Sequence, residues 1–157
     1  MDETLILLAK EVRRKTLKLI DGVSEEDARW APAGTSNHLL WHAGHAYVLQ
    51  ETLGLAVIEG RAGKYPQNWF ESFSWKSLPR AVEKWPSLAD VREAMQKQGG
   101  DLVAAIEKLS NEQLEKSVGT AEKPRTMRYS ILHGLHDEAN HQGEMYLIRK
   151  LLAKRSA

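Results

Sequence analysis

The chain has 157 residues, of which 42% are hydrophobic and 27% charged, as is ordinary for a globular protein with one domain over residues 1–157. Its 22 Lys and Arg residues balance 21 Asp and Glu residues, so the basic excess of nucleic-acid-binding proteins is missing. The sequence contains no cysteine, which excludes disulfides, thiolate metal sites and a cysteine nucleophile. Thiol chemistry would therefore need a thiol from outside the chain.

The N-terminus is acidic, and the apolar run that follows it, residues 5–9, is short. This pattern is not that of a secretory signal peptide, and no stretch approaches the roughly 20 apolar residues of a membrane span. We therefore expect a soluble, cytoplasmic protein that binds a small-molecule substrate and neither nucleic acid nor a membrane.

Helical periodicity dominates the first part of the chain. Apolar residues at steps of three and four predict a first helix over residues 3–20. Ser24 opens a capping-box sequence that predicts a short helical turn. A second helix is predicted from an N-cap at Thr35 or Ser36 to about Ile58.

A long aromatic stretch over residues 60–86 then separates two pairs of predicted helices, and we expect it to be a crossover packed on the helices. The third helix is predicted from the N-cap Ser87 to about Ser110, and the fourth from about Thr126 to Lys154. Four helices, one long crossover and no convincing strand predict an all-α four-helix bundle.

All six histidines fall in two short windows, residues 38–45 and 133–141, and each window lies on a long predicted helix. In the first window His38, His42 and His45 share a helical face that continues into apolar positions. This spacing predicts that the three imidazoles face the core.

The second window contains His133, Asp137 and His141, which are spaced by four residues and then four. The stripe continues through Glu144 into Ile148, an apolar position, so we expect these side chains to face the core as well. An ionised carboxylate and several imidazoles are costly in a core unless they are paired or bound to a metal.

A divalent metal ion bound by side chains of both windows would compensate for this cost of burial. Asp137 and His141, one helical turn apart, can converge on one ion, and a histidine of the second helix would complete a three-ligand set. Three protein ligands leave a position open for water or substrate, which is typical of catalytic sites. Nitrogen and carboxylate ligands suit Zn²⁺, Ni²⁺, Mn²⁺ or Fe²⁺. The alternative is a metal-free buried His–Asp network.

Two segments resemble a known family. Residues 30–37 (WAPAGTSN), leading into residues 40–45 (LWHAGH), resemble the second-helix region of the DinB-like (YfiT-like) metalloenzymes. Residues 133–144 (HGLHDEANHQGE) resemble the last-helix motif of that family. The resemblance implies a four-helix bundle in up-down-down-up order and one divalent metal, commonly Zn or Ni. It also allows a homodimer.

Carried over residue by residue, the family's metal ligands match His42, Asp137 and His141. Many members have histidine at the position of Asp137, and a carboxylate there resembles the mycothiol-dependent maleylpyruvate isomerase branch. Characterised branches use mycothiol, bacillithiol or glutathione. The resemblance therefore implies a transferase that uses an external low-molecular-weight thiol.

The remaining polar residues have less specific expected roles. His38 and His45 are alternative ligands or hydrogen-bond donors to the ligands. His133 and Glu144 are the candidate catalytic residues, as proton carriers, if the metal activates water in a hydrolase. A metal-binding or small-molecule-binding stress protein without catalytic activity is the other alternative.

Overall fold

The computed structural model describes residues 1–77, 79 and 84–155, and most of them are helical. The elements in chain order are α1 (Glu3–Ile20), α2 (Glu25–Ala28), α3 (Leu39–Leu49), a π-helical segment (Gln50–Leu55), α4 (Ala56–Glu59), α5 (Trp69–Phe73), α6 (Leu88–Glu107), α7 (Asn111–Leu114) and α8 (Met127–Arg155). Extended pairing among these described residues is limited to an isolated bridge between Ser117 and Thr126. The all-α prediction is confirmed.

Pairs of contacting residues across the bundle give the directions of the long helices. They are Val12–Gln142 and Leu19–Arg149 between α1 and α8, Lys10–Glu107 and Asp21–Arg92 between α1 and α6, and His42–His141 and Leu53–Ser130 between α3 with its π-helical extension and α8. Helices α1 and α8 are therefore parallel, whereas α6 is antiparallel to α1 and α3 is antiparallel to α8. The chain therefore follows the expected up-down-down-up order.

The predicted starts of three helices agree with the structure. Asp2 caps α1 by accepting the backbone N–H of Leu5, Ser24 caps α2, and Ser87 caps α6. These side chains satisfy N–H groups that have no partner inside the helix, which is why the sequence located these ends well.

The predicted start of the second helix is wrong. The helix begins at Leu39, and residues 35–38 precede it in a non-helical conformation. His38 is the N-cap, because its Nδ1 accepts the backbone N–H of Trp41 at 3.0 Å. An imidazole thus supplies the acceptor that we expected from Thr35 or Ser36.

The same helix contains a π-helical segment that the periodicity did not predict. It continues through Gln50–Leu55 into α4 and ends at Gly60, whose φ of 61° lies in the left-handed region. The neighbouring side chains of Gln50 and Glu51 are both buried, at 0% and 3% exposure. Gln50 faces Glu138 of α8, whereas Glu51 accepts the backbone N–H of Lys64 in the crossover. A π-helical turn adds one residue and so changes which side chains face inward.

A set of buried polar side chains crosses the bundle between two hydrophobic clusters. We call it the polar layer, and it contains Arg13, Gln50, Gln98 and Glu138. In each long helix the polar residue separates the residues of one cluster from those of the other, as Gln98 separates Met95 from Leu102. The four long helices thus each contribute one member.

The crossover packs on α3 through α5, as expected. The Phe73 ring is fully buried against Gly44, where a Cβ atom would overlap it. Residues 78 and 80–83 of the predicted crossover lie outside the described residues. Among the helices that are described, none is long and apolar enough to cross a membrane.

Candidate metal centre

Three ligand atoms converge between α3 and α8. His42 Nδ1 of α3 lies 3.0 Å from His141 Nδ1 of α8. Glu144 Oε2, one turn further along α8, lies 2.9 Å from His141 Nδ1 and 3.3 Å from His42 Nδ1. The three atoms form a nearly equilateral triangle.

Burial favours the neutral form of His42 and of the neighbouring His45. It lowers the pKa of His42 to about 3, and the neighbouring His141, His45 and His38 act in the same direction. Burial also lowers the pKa of His45, although its hydrogen bond to Phe73 opposes this shift. A neutral imidazole is the form that binds a metal ion, because a protonated nitrogen has no free lone pair.

The triangle fits a small divalent ion. Ligand atoms bonded to one ion at about 2.0–2.2 Å lie roughly 3 Å apart, as these three atoms do. Two nitrogens and one carboxylate oxygen suit Zn²⁺ or Ni²⁺. The side chain of His42 is 2% exposed, whereas that of Glu144 is 59% exposed, so the triangle is buried on one side and open to solvent on the other.

His45 lies beside the triangle. Its Nδ1 lies 2.6 Å from the backbone oxygen of Phe73, which can only accept, so Nδ1 carries the proton. The ring stacks on Trp41 at 4.6 Å and meets the ring of His141 edge-on at 4.7 Å. The unprotonated Nε2 therefore remains available for a hydrogen bond or a metal.

His38 has a different role from the one expected. Its Nδ1 is engaged in capping α3, and its ring packs edge-on against Trp85 at 4.7 Å. Burial and the positive charge of Arg29 lower its pKa to about 4. The described contacts thus assign His38 to the start of the helix rather than to the triangle.

The two other predicted residues of α8 lie outside the triangle. Asp137 is half-buried, and its charge acts to raise the pKa of His45, so it lies on the same side of the bundle. His133 is exposed and stacks on Tyr129 at 5.8 Å. It precedes His141 by about 12 Å along the helix axis. The expectation that His133 faces the core is wrong, because the buried stripe of α8 runs through Gly134 and Glu138.

The buried acid of α8 is Glu138, next to Asp137, which the sequence pattern had predicted instead. Its side chain is 1% exposed and lies 3.2 Å from the guanidinium of Arg13. The available signal was Arg13 itself, a charged residue directly after Val12 on the apolar stripe of α1. A basic residue on a buried face needs an acidic partner.

Comparison with known proteins supports one family. The family model of the DinB superfamily matches residues 8–145. A search of curated proteins finds no significant match.

Two solved structures share the fold. A conserved protein from Enterococcus faecalis superposes with a TM-score of 0.75 at 14% identity, covering 97% of this chain and 96% of its own. A DinB-like protein from Bacillus subtilis, YjoA, superposes with a TM-score of 0.68 at 19% identity, covering 94% and 92%. Because the family model matches most of the length of this chain, the chain belongs to the DinB superfamily.

Proposed function

We propose that the protein is a metal-dependent transferase that uses an external low-molecular-weight thiol. One divalent transition metal, Zn or Ni, would be held by His42, His141 and a carboxylate. The observation that carries this proposal is the convergence of three ligand atoms within 2.9–3.3 Å of one another, with a buried side and an open side. Because the chain has no cysteine, the thiol must come from solution.

The bound metal would lower the pKa of an incoming thiol and so supply a thiolate at neutral pH. Nδ1 of His42 and Nδ1 of His141 would hold the ion. Trp41, which is 6% exposed and packs edge-on against both rings, closes the buried side. A thiol would therefore approach from the exposed side, past Glu144.

Two carboxylates are candidates for the third ligand. The geometry favours Glu144, whose Oε2 already belongs to the triangle. The family resemblance favours Asp137, and Glu144 would then be free to accept the proton that the thiol loses. Exchanging each carboxylate for its amide distinguishes these arrangements.

The thiol hypothesis is tested by the spectrum of the cobalt-substituted protein. Adding a low-molecular-weight thiol such as glutathione should produce a thiolate-to-cobalt charge-transfer band. The His42→Ala variant should show no such band, because it no longer holds the ion. A wild-type spectrum that remains unchanged with mycothiol, bacillithiol and glutathione would overturn the proposal.

A metal-dependent hydrolase is the second candidate, and the position of Glu144 favours it. Its carboxylate lies at the solvent boundary, 2.9 Å from His141 Nδ1, where it could accept a proton from an attacking water. Metal-dependent turnover of an ester, amide or phosphate that is lost in Glu144→Gln would support it. Metal binding without thiol binding or turnover would identify a non-catalytic binding protein.

A further inference from the structure

The polar layer is connected to the metal centre through α8. Glu138 precedes His141 by three residues, and Gln142 follows it directly. Both flanking side chains are hydrogen-bonded to α1, whereas the contacts of His141 itself are with His42, His45, Trp41 and Glu144. The residues on either side of the ligand thus attach α8 to α1.

Glu138 receives three interactions from two other helical segments. Its Oε1 accepts the hydroxyl of Thr16 at 2.7 Å. Its Oε2 accepts Gln50 Nε2 at 3.0 Å and lies 3.2 Å from Arg13 Nη2. Because Arg13 and Thr16 belong to α1 and Gln50 follows α3, the carboxylate of α8 is tied to both helices at once.

Three further hydrogen bonds complete the arrangement. Gln142 Nε2 donates to the backbone oxygen of Val12 at 2.7 Å and to Thr16 Oγ1 at 3.0 Å. Arg13 Nη2 donates to Gln98 Oε1 of α6 at 3.1 Å. The bonds of Glu138 and Gln142 are directional, so they favour one rotation of α8, which an apolar contact of the same size would not do.

The composition of the layer argues against a role in stability. Arg13 Nη1 and Gln50 Oε1 are buried without a hydrogen-bond partner in the described part of the chain. Burial also lowers the pKa of Arg13, and the charge of Glu138 offsets this effect only in part. A buried ion pair is often no more stabilising than apolar residues of similar volume, so its benefit here lies in geometry.

We propose that Glu138 and Gln142 are positioning residues, which hold His141 against His42 at the metal centre. A rotation of α8 by about 20° would move a side-chain atom 5–6 Å from the helix axis by roughly 2 Å. That displacement is about ten times the tolerance of a metal–ligand bond. The inference rests on the proposed function where it concerns metal affinity. Its second consequence, the close approach of the His42 and His141 rings, needs no metal.

The test compares three variants with the wild type. Thr16→Val removes the hydroxyl that joins Glu138 to Gln142. Arg13→Met with Glu138→Met replaces the ion pair by apolar groups of similar size. Ser130→Ala is the matched control, since Ser130 also bonds α8 to the π-helical segment, through the backbone oxygen of Leu53 at 2.9 Å, but lies roughly 16 Å along α8 from His141.

Two measurements are made on each protein. The first is the Kd for Zn²⁺ by competition with a chromophoric chelator. The second is the nuclear Overhauser effect between the rings of His42 and His141 in the metal-free protein, whose centroids lie 5.1 Å apart. Urea unfolding of the same samples records stability independently of the metal centre.

We expect the Kd to rise at least about tenfold in Thr16→Val and in the double variant, the usual effect of losing residues that orient ligands. The nuclear Overhauser effect between the rings of His42 and His141 (the ring-to-ring effect) should weaken in both variants. Ser130→Ala should retain the wild-type Kd and the wild-type ring-to-ring effect, even if its urea midpoint falls. If the double variant does not fold, the Kd and the ring-to-ring effect of Thr16→Val alone test the inference.

An unchanged Kd together with an unchanged ring-to-ring effect would overturn the inference. If the wild type binds no Zn²⁺, the proposed function fails. The ring-to-ring effect then decides the positioning role alone, so the two failures are distinguishable.

Discussion

His45 Nδ1 lies 2.6 Å from the backbone oxygen of Phe73, and this contact joins α5 in the crossover to α3 next to the metal centre. The preceding residue, Gly44, leaves the space that the Phe73 ring fills. The position of His45 in the site thus depends on the crossover as well as on its own helix.

Replacing Gly44 by alanine should therefore destabilise the protein. The new methyl group would overlap the Phe73 ring, and overpacking of this kind costs about 1–3 kcal/mol. Urea unfolding measures the change. Gly100→Ala is the control, because no atom lies within 4 Å of its Cβ position, and alanine there should stabilise α6 by up to about 1 kcal/mol. Equal effects of both substitutions would contradict this packing.

His38 should make stability depend on pH. Its pKa is lowered from 6.5 to about 4 in the folded protein, so the unfolded chain binds the proton more readily. The contribution is fully present above about pH 6.5 and is lost as the pH falls toward 4. Since asparagine can also cap a helix but does not titrate, His38→Asn should show a smaller loss of unfolding free energy between pH 7 and pH 4.5. Urea unfolding of the metal-free proteins tests this, and identical slopes would argue against a neutral His38 cap.

The two carboxylates near the triangle should differ in their effect on metal affinity. Glu144→Gln should raise the Kd for Zn²⁺ by at least about tenfold, because it removes an anionic ligand atom from the triangle. Asp137→Asn should have a smaller effect, since Asp137 lies outside it. Isothermal titration with Zn²⁺ measures both. The opposite ranking would identify Asp137 as the third ligand, as the family resemblance implies.

The sequence predicted the long helices well because apolar spacing and capping side chains are local signals. The start of α1 and the caps Ser24 and Ser87 agree with the structure for this reason. The cap at His38 was not predictable from propensity, because three better N-cap residues, Thr35, Ser36 and Asn37, precede it and imidazoles rarely cap helices. The π-helical segment was not predictable from the spacing of apolar residues. This helix is apolar on both faces, so one inserted residue does not visibly interrupt that spacing.

The sequence predicted that the two histidine windows meet, but it did not predict which acid lies beside them. The windows of His42 and His141 do meet in space, because both lie on inward faces of antiparallel helices. The acids were harder to assign, since Asp137, Glu138 and Glu144 lie within two turns and a small rotation of α8 changes which of them is buried. The structure places Glu138 in the core and brings Glu144 into the triangle.

The most direct test of the metal centre is elemental analysis of the untagged protein, purified without a metal column, beside the double variant His42→Ala/His141→Ala. We expect about one divalent transition metal per chain in the wild type and none in the double variant. No metal in either protein, together with no uptake of added Zn²⁺ or Ni²⁺ by the wild type, would contradict this expectation.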